Sequence, residues 1–295
     1  MNDADWLAER FERERKRLQS VAYRMLGSMA EAEDSVQEAW IRLSGSNAAE
    51  IDNLGGWLTT VVARVSLNRL QSRKSRREEL AGTYVPDPVV TQASPEEEAM
   101  IADSVGLALL VVLESLSPAE RLAFVLHDMF DIPFEEIAPI IGKSSTAARQ
   151  LASRARRRVR SAAAPDPDRV AQQRVADAFL AAAREGDFEG LLALLDPDVV
   201  FRIDGGTLRP GAARIVHGAQ AVVAGAMRFA SMAPFARQVL VNGAPGFVGR
   251  NADGQIQSVV GLTIRNGKII EMDAITDAER LKKLDLSPWR ADDAP

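Results

Sequence analysis

Between Arg149 and Arg160 the chain places six arginines and no acid. A guanidinium stays charged at any physiological pH, and its planar fork pairs with phosphate oxygens or, bidentately, with guanine in a DNA major groove. Gln150 has the matching capacity for adenine. The chemistry open to this stretch is therefore recognition of a polyanion. Helical spacing sorts the run into two sides. Ala148, Leu151, Ala152, Ala155 and Val159 recur on one stripe that must pack inward. The other side carries Arg149, Gln150, Ser153, Arg154, Arg156 and Arg157. Ser144, Ser145 and Thr146 stand at the start, where free backbone N–H groups can hold a phosphate.

The elements upstream position this helix. Ile132 to Ile141 reads as a short helix, Gly142 ends it, and Ser144 can cap the next. Helix, short turn and serine-capped helix make a helix-turn-helix, in which the first helix braces the second across the DNA backbone. Ser117-Pro118-Ala119-Glu120 is a capping box that opens the segment before it. A charge run alone would favour a solvated basic helix; the capped helix and turn before it shift the reading to DNA.

Composition bounds the rest. The 295 residues suffice for two or three domains, with 46% hydrophobic and 26% charged residues. The formal net charge of -5 argues against a generic nucleic-acid binder, so a basic docking surface must be local. Without cysteine there are no disulfides, thiolate metal sites or cysteine nucleophiles, and only His127 and His217 could serve as imidazole ligands. Neither a metal nor a cofactor is expected. The charged start, Met1 to Glu14, has no apolar signal core, and no run approaches the roughly 20 apolar residues of a membrane helix. A cytoplasmic location is expected.

Residues 5–75 read as helical, with a second helix near Ala30–Leu43 and a third near Gly56–Lys74 that ends in the basic run Arg73, Lys74, Arg76, Arg77. Pro86, Pro88 and Pro95 mark a linker, after which Ser94-Pro95-Glu96-Glu97 looks like a helix start. Ala162 to Pro167 is a second linker. Beyond it two helices, near 168–184 and 187–195, precede strand-like runs at Val199–Ile203, Arg214–His217, Phe235–Val241, Phe247–Arg250, Gln255–Arg265 and Lys268–Ile275. Asn266-Gly267 is a hairpin signal and Asn251 to Gly254 a second turn. Helices followed by a curved antiparallel sheet make an α+β domain.

Long segments, in order, resemble one family. EAEDSVQEAWIRL (Glu31–Leu43), WLTTVVARVSLNRLQSRKSRR (Trp57–Arg77) and LSPAERLAFVLHDMFDIPFEEIAPIIGKSSTAARQLASRARRRVR (Leu116–Arg160) are similar to the two DNA-reading domains of extracytoplasmic-function sigma factors, bacterial subunits that direct RNA polymerase to promoters. YVPDP (Tyr84–Pro88), DGGT (Asp204–Thr207) and VNGAPGFV (Val241–Val248) resemble a WLPEP-like linker motif, DGGGK and an NGxPG loop of the SigJ-type group, which carries a fused SnoaL-like domain. Tyr84 stands where that group has tryptophan, and Thr207 with Leu208 where it has Gly-Lys; Arg209 lies nearby.

The resemblance implies a multidomain fold: two all-α domains, a sigma-2 helical bundle over 5–77 and a sigma-4 helix-turn-helix over 101–161, then an α+β SnoaL-like/NTF2-like cone over 168–286. The linker between the first two covers 78–100. The implied partners are core RNA polymerase and promoter DNA, with no membrane. Polymerase would meet Glu33, Asp34, Gln37, Glu38 and Trp40, where the acids suit a basic partner surface, although charge alone would fit a solvated face. The minus-10 element would meet Asn53, Trp57, Arg64, Asn68, Arg69 and Arg73. Trp57 could stack on a flipped base or be buried among Leu58, Val61 and Val62. The minus-35 element would meet Ser144, Ser145, Thr146, Arg149, Gln150, Ser153, Arg154 and Arg157. A regulatory contact would join Tyr84, Pro86, Asp87 and Pro88 to Asp204, Gly205, Gly206, Asn242, Gly243 and Pro245, with the fused domain setting activity in place of an anti-sigma factor.

Rival readings stay open. An enzymatic tail could use only Asp204, His217 and Asp273, and the expectation is that the chain is not an enzyme. A small-molecule ligand in the cone is a better-supported alternative partner. A repressor would bind duplex without polymerase.

Overall fold

The computed structural model describes residues 3–46, 51–77, 84–92, 106–161, 165–206, 213–226 and 232–290. The helix start expected at Ser94–Pro95 and the turn residues Thr207, Leu208 and Arg209 lie outside them. The chain divides into two compact units: Met1–Leu80 with Val112–Ser161, and Ala81–Val111 with Ala162–Pro295.

The first unit is helical. α1 (Asp3–Leu26) buries Phe11, Leu18, Val21, Ala22, Met25 and Leu26. Gly27, at φ 66°, ends it in the left-handed conformation that glycine adopts without steric penalty. α2 (Met29–Ser44) turns Ala32, Ser35, Val36, Ala39 and Leu43 inward, and α3 (Leu54–Arg77) turns Leu58, Val61, Val62 and Val65. α4 (Leu107–Glu114) is crossed by the division between units. α5 (Pro118–Phe124) runs into a π turn at Val125–Met129. α6 (Phe134–Ile141) stops at Gly142, φ 63°, and α7 (Ser145–Ser161) follows.

A charged side chain lies deep in this unit. Arg121 is 1% exposed. Its Nη1 donates to Glu114 at 2.6 Å and its Nε to the Arg24 carbonyl at 3.0 Å, while Nη2 meets no acceptor among the described residues. A buried guanidinium is tolerable only with such partners.

The second unit is a mixed sheet with helices. β1 (Val90–Thr91) precedes α8 (Arg169–Glu185), α9 (Phe188–Leu194), β2 (Leu195–Asp204), β3 (Arg214–His217), α10 (Ala219–Ala226), β4 (Arg237–Val241), β5 (Ala244–Arg250), β6 (Ile256–Arg265), β7 (Lys268–Ile275), α11 (Ala278–Lys283) and α12 (Ser287–Arg290). The strand order is β1-β4-β5-β6-β7-β2-β3. The sheet is not wholly antiparallel as expected: β2 and β7 run parallel. The excursion through β3 to β6 supplies the long crossover that a parallel pair needs. The Asn266-Gly267 hairpin forms as read, with φ of 53° and 71°, and Asn242-Gly243 makes a second one at 51° and 73°.

Side-chain alternation gives the sheet two buried faces. On one, Ile203, Val260, Leu262, Met272 and Ala274 pack with Phe179 and Leu191 from α8 and α9. On the other, Val239, Val241, Val248, Val259 and Ile275 pack with Val85, Leu107, Leu281, Leu286 and Trp289. The prolines before β1 thus lead not into a free spacer but into a strand at the edge of the tail's sheet.

Candidate nucleic-acid interface and linker clasp

α7 is set by its cap and its apolar stripe. Ser144 Oγ accepts from Ala147 N at 3.2 Å, and Ala148, Leu151, Ala152 and Ala155 are buried. Thr146, Gln150, Ser153 and Arg157 are exposed on the side away from that stripe, as successive steps of three or four residues require. Ser145 is half-buried.

The flanking arginines are held by acids. Arg149 is 2.8 Å from Glu135, and its guanidinium lies 5.6 Å from the Phe134 ring centre. Arg154 Nε donates to Glu120 at 2.9 Å. Arg156 pairs with Asp128, and Arg158 Nη1 reaches the Ser115 carbonyl at 3.2 Å. Three acids thus offset part of the basic run, and sequence reading did not find them because they lie 14 to 34 residues away along the chain.

The residues assigned to polymerase and to the minus-10 element meet on α2 and α3. Arg69 faces Asp34 at 3.4 Å and Glu38 at 3.9 Å, and Arg73 pairs with Glu31 and donates to the Leu26 carbonyl at 3.0 Å. Glu38 also pairs with Arg42. Arg64 and Asn68 are exposed one step around α3, as are Glu33 and Gln37 on α2. Asn53 accepts from Gly56 N at 3.0 Å, a cap for α3, and Trp57 is half-buried. Trp40, half-buried, packs on Phe11 with ring centres 5.0 Å apart.

In the tail unit the expected linker contact has a defined geometry. Asp204, 3% exposed, accepts from Val85 N at 2.9 Å and from Gly206 N at 3.0 Å. Asn242 clamps Val89 from both sides: its Oδ1 accepts from Val89 N at 3.0 Å, and its own N donates to Val89 O at 2.8 Å. Val90 and Thr91 then pair with Val241 and Leu240. Pro86, Pro88 and Pro245 are buried, Gly205 and Gly243 half-buried. Gly206, at φ 73°, has no room for a Cβ, which would lie 1.6 Å from Asp277 Oδ2.

The centre of the clasp is a residue that sequence reading missed. Arg280 bonds Asp204 and Asp87, donates to the Val85 carbonyl, and stacks over Tyr84 with 4.7 Å to the ring centre. Burial works to lower its pKa, but Asp87, Tyr84 and Asp204 outweigh that and hold it above the ordinary value. In the sequence it is one of three basic residues in a short helix after β7, with no local sign of its partners.

Two of the three residues weighed for catalysis are engaged in ion pairs. Asp204 belongs to the clasp. Asp273, 2% exposed, pairs with Arg202 at 3.1 Å, and burial raises its pKa to about 6 despite that partner. His217 is exposed on edge strand β3, beside a recess of about 500 Å³ that Leu192, Leu195 and Gln220 also line. No group of acids and histidines suited to a metal occurs among the described residues, and no helix there is long and apolar enough to cross a membrane.

A Sigma-70 region 2 family model matches residues 10–76, and a Sigma-70, region 4 model matches 106–159. The ECF RNA polymerase sigma factor SigJ of Mycobacterium tuberculosis is 39% identical over 302 residues, which cover 95% of both chains. The chain belongs to the ECF sigma factors. Its tail brings it into the SigJ-type group: the crystal structure of M. tuberculosis SigJ superposes with a TM-score of 0.76 at 36% identity, covering 95% of this chain and 99% of that one. A probable ECF sigma factor SigI of M. tuberculosis is 40% identical over 224 residues, 73% of this chain and 76% of its own. This sigma factor therefore couples two helical promoter-directing regions to a SnoaL-like/NTF2-like α+β tail, and the family acts in transcription initiation with RNA polymerase.

Proposed function

We propose that this sigma factor directs core polymerase to a promoter with its output set by its own tail in place of an anti-sigma factor, through the grip on Tyr84 to Val89. The observation that carries this reading is Arg280, held between Asp87 of the linker and Asp204 of the tail. A linker held at one end by charge and at the other by strand pairing loses the freedom to orient the DNA-reading regions. The chain acts in the cytoplasm and has no enzymatic role.

At the start of α7 and along it, Ser144, Ser145, Thr146, Arg149, Gln150, Ser153, Arg154 and Arg157 read the minus-35 element. On α3 Arg64 and Asn68 are placed best for the minus-10 strand, with Trp57, Asn53, Arg69 and Arg73 beside them; the last two must exchange acids for phosphate. Exposed Glu33 and Gln37, with Asp34, Glu38 and Trp40, form the polymerase face.

The test is promoter-dependent transcription by core polymerase with the full chain, with Arg280→Met, and with a chain ending at Arg160. Output should change in both variants relative to the full chain; unaltered output in both would sink the regulatory reading. A small-molecule ligand in the C-terminal cone is the alternative partner, and native mass spectrometry of the purified chain would reveal one as added mass.

A further inference from the structure

Glu120 does more than cap α5. Its Oε2 accepts from Ser117 Oγ at 2.8 Å and from Ser117 N at 3.1 Å, completing the capping box. Its Oε1 is left over and accepts from Arg154 Nε at 2.9 Å. The residue is 7% exposed, so the carboxylate is a fixed acceptor rather than a mobile surface acid. Burial opposes its charge, yet the bonds from Ser117 and Arg154 hold its pKa below the ordinary value.

The consequence falls on Arg154. With Nε engaged, the side chain is anchored at its base while 49% of it stays exposed, and both terminal nitrogens have no partner among the described residues. Arg154 sits one step around α7 from Gln150 and Ser153, beside the outward stripe. An arginine so held presents its terminal edge in one orientation, which bidentate pairing with guanine O6 and N7 demands. Arg157, on the same stripe, has no such anchor among the described residues and suits phosphate, which accepts many approach angles.

We propose that Glu120 is a positioning residue for sequence discrimination, fixing Arg154 so that it reads one base pair of the upstream promoter element. The inference rests on the reading of α7 as the minus-35 helix. It assigns a share of specificity to a residue that would not touch DNA.

Glu120→Gln separates this role from capping, since glutamine also completes a capping box but lacks the charge that anchors a guanidinium. The full chain with core polymerase is titrated against promoters substituted at each minus-35 position. Glu120→Gln should lose about tenfold discrimination at one position, with an unchanged thermal midpoint and with non-specific affinity held or raised, because an acid has gone. Arg154→Ala should lose discrimination at the same position, and the double variant should lose no more than Arg154→Ala alone. Loss in Arg154→Ala with wild-type discrimination in Glu120→Gln overturns the positioning role and leaves the reading of α7 standing. Full discrimination in Arg154→Ala removes Arg154 as a reader, and the inference with it. A uniform loss at all positions with a lowered midpoint in Glu120→Gln makes Glu120 a structural residue only, which also overturns the proposal.

Discussion

Arg280→Met deletes the guanidinium at the centre of the clasp and keeps most of the apolar stem. The wild-type side chain is 18% exposed, and its two carboxylate partners, Asp204 and Asp87, are 5% and 22% exposed. Removing one member of a buried ion pair costs about 3–5 kcal/mol, because the remaining charge is left without compensation. Here Asp204 keeps two backbone donors, Val85 N and Gly206 N, and Asp87 can be rehydrated. The lower end, about 3 kcal/mol, therefore applies. At 1.4 kcal/mol per factor of ten, that raises the undocked population of the linker roughly 100-fold. Amide hydrogen exchange reads this directly, because Val85 N donates to Asp204 and Val89 N to Asn242 only while the linker is docked. Both amides should exchange about 100-fold faster in the variant, with β6 and β7 amides unchanged. Arg280→Lys should fall between, since it restores charge without the fork that spans Asp87, Asp204 and the Val85 carbonyl. If Val85 and Val89 stay as protected in Arg280→Met as in the wild type, the clasp is held by strand pairing and packing and not by Arg280.

Other outcomes follow from the same structure. The folded Asp273 titrates at about 6, above its ordinary 3.8, so the folded chain holds the extra proton between those values. Stability from this group is therefore fully present below about pH 4 and is lost as pH rises to about 6, on the order of 2–3 kcal/mol. Asp273→Asn should remove that slope from denaturant titrations, and an unchanged slope would place it in another group. Arg121→Ala takes its guanidinium away from Glu114, whose side chain is only 12% exposed; a loss of about 3–5 kcal/mol should lower the thermal midpoint by roughly 10 °C. Replacing Arg121 and Glu114 together by Met and Leu should recover most of that loss, and a double variant as unstable as Arg121→Ala would locate the damage in the bond to the Arg24 carbonyl instead.

Local chemistry makes much of this protein legible in its sequence. Ser117-Pro118-Ala119-Glu120 and Gly142 mark helix ends through backbone rules that act within a few residues, and both hold in the fold. The apolar stripe from Ala148 to Ala155 sets which side of α7 is buried, since helical spacing alone decides it. Asn266-Gly267 forms its hairpin because those residues tolerate positive φ. Motif resemblance groups Tyr84 to Pro88 with Asp204 and Asn242. What needs tertiary structure is the identity of each charge's partner. An ion pair has no sequence period, so nothing near Arg280 points to Asp87, 193 residues earlier, or near Arg154 to Glu120. The parallel pairing of β2 with β7 is hidden for the same reason: a strand's alternation shows which face it buries, while its neighbour depends on where the rest of the chain has already folded. The arginine helix is thus set by local periodicity, whereas which of its guanidiniums are anchored is decided by acids that only folding brings near.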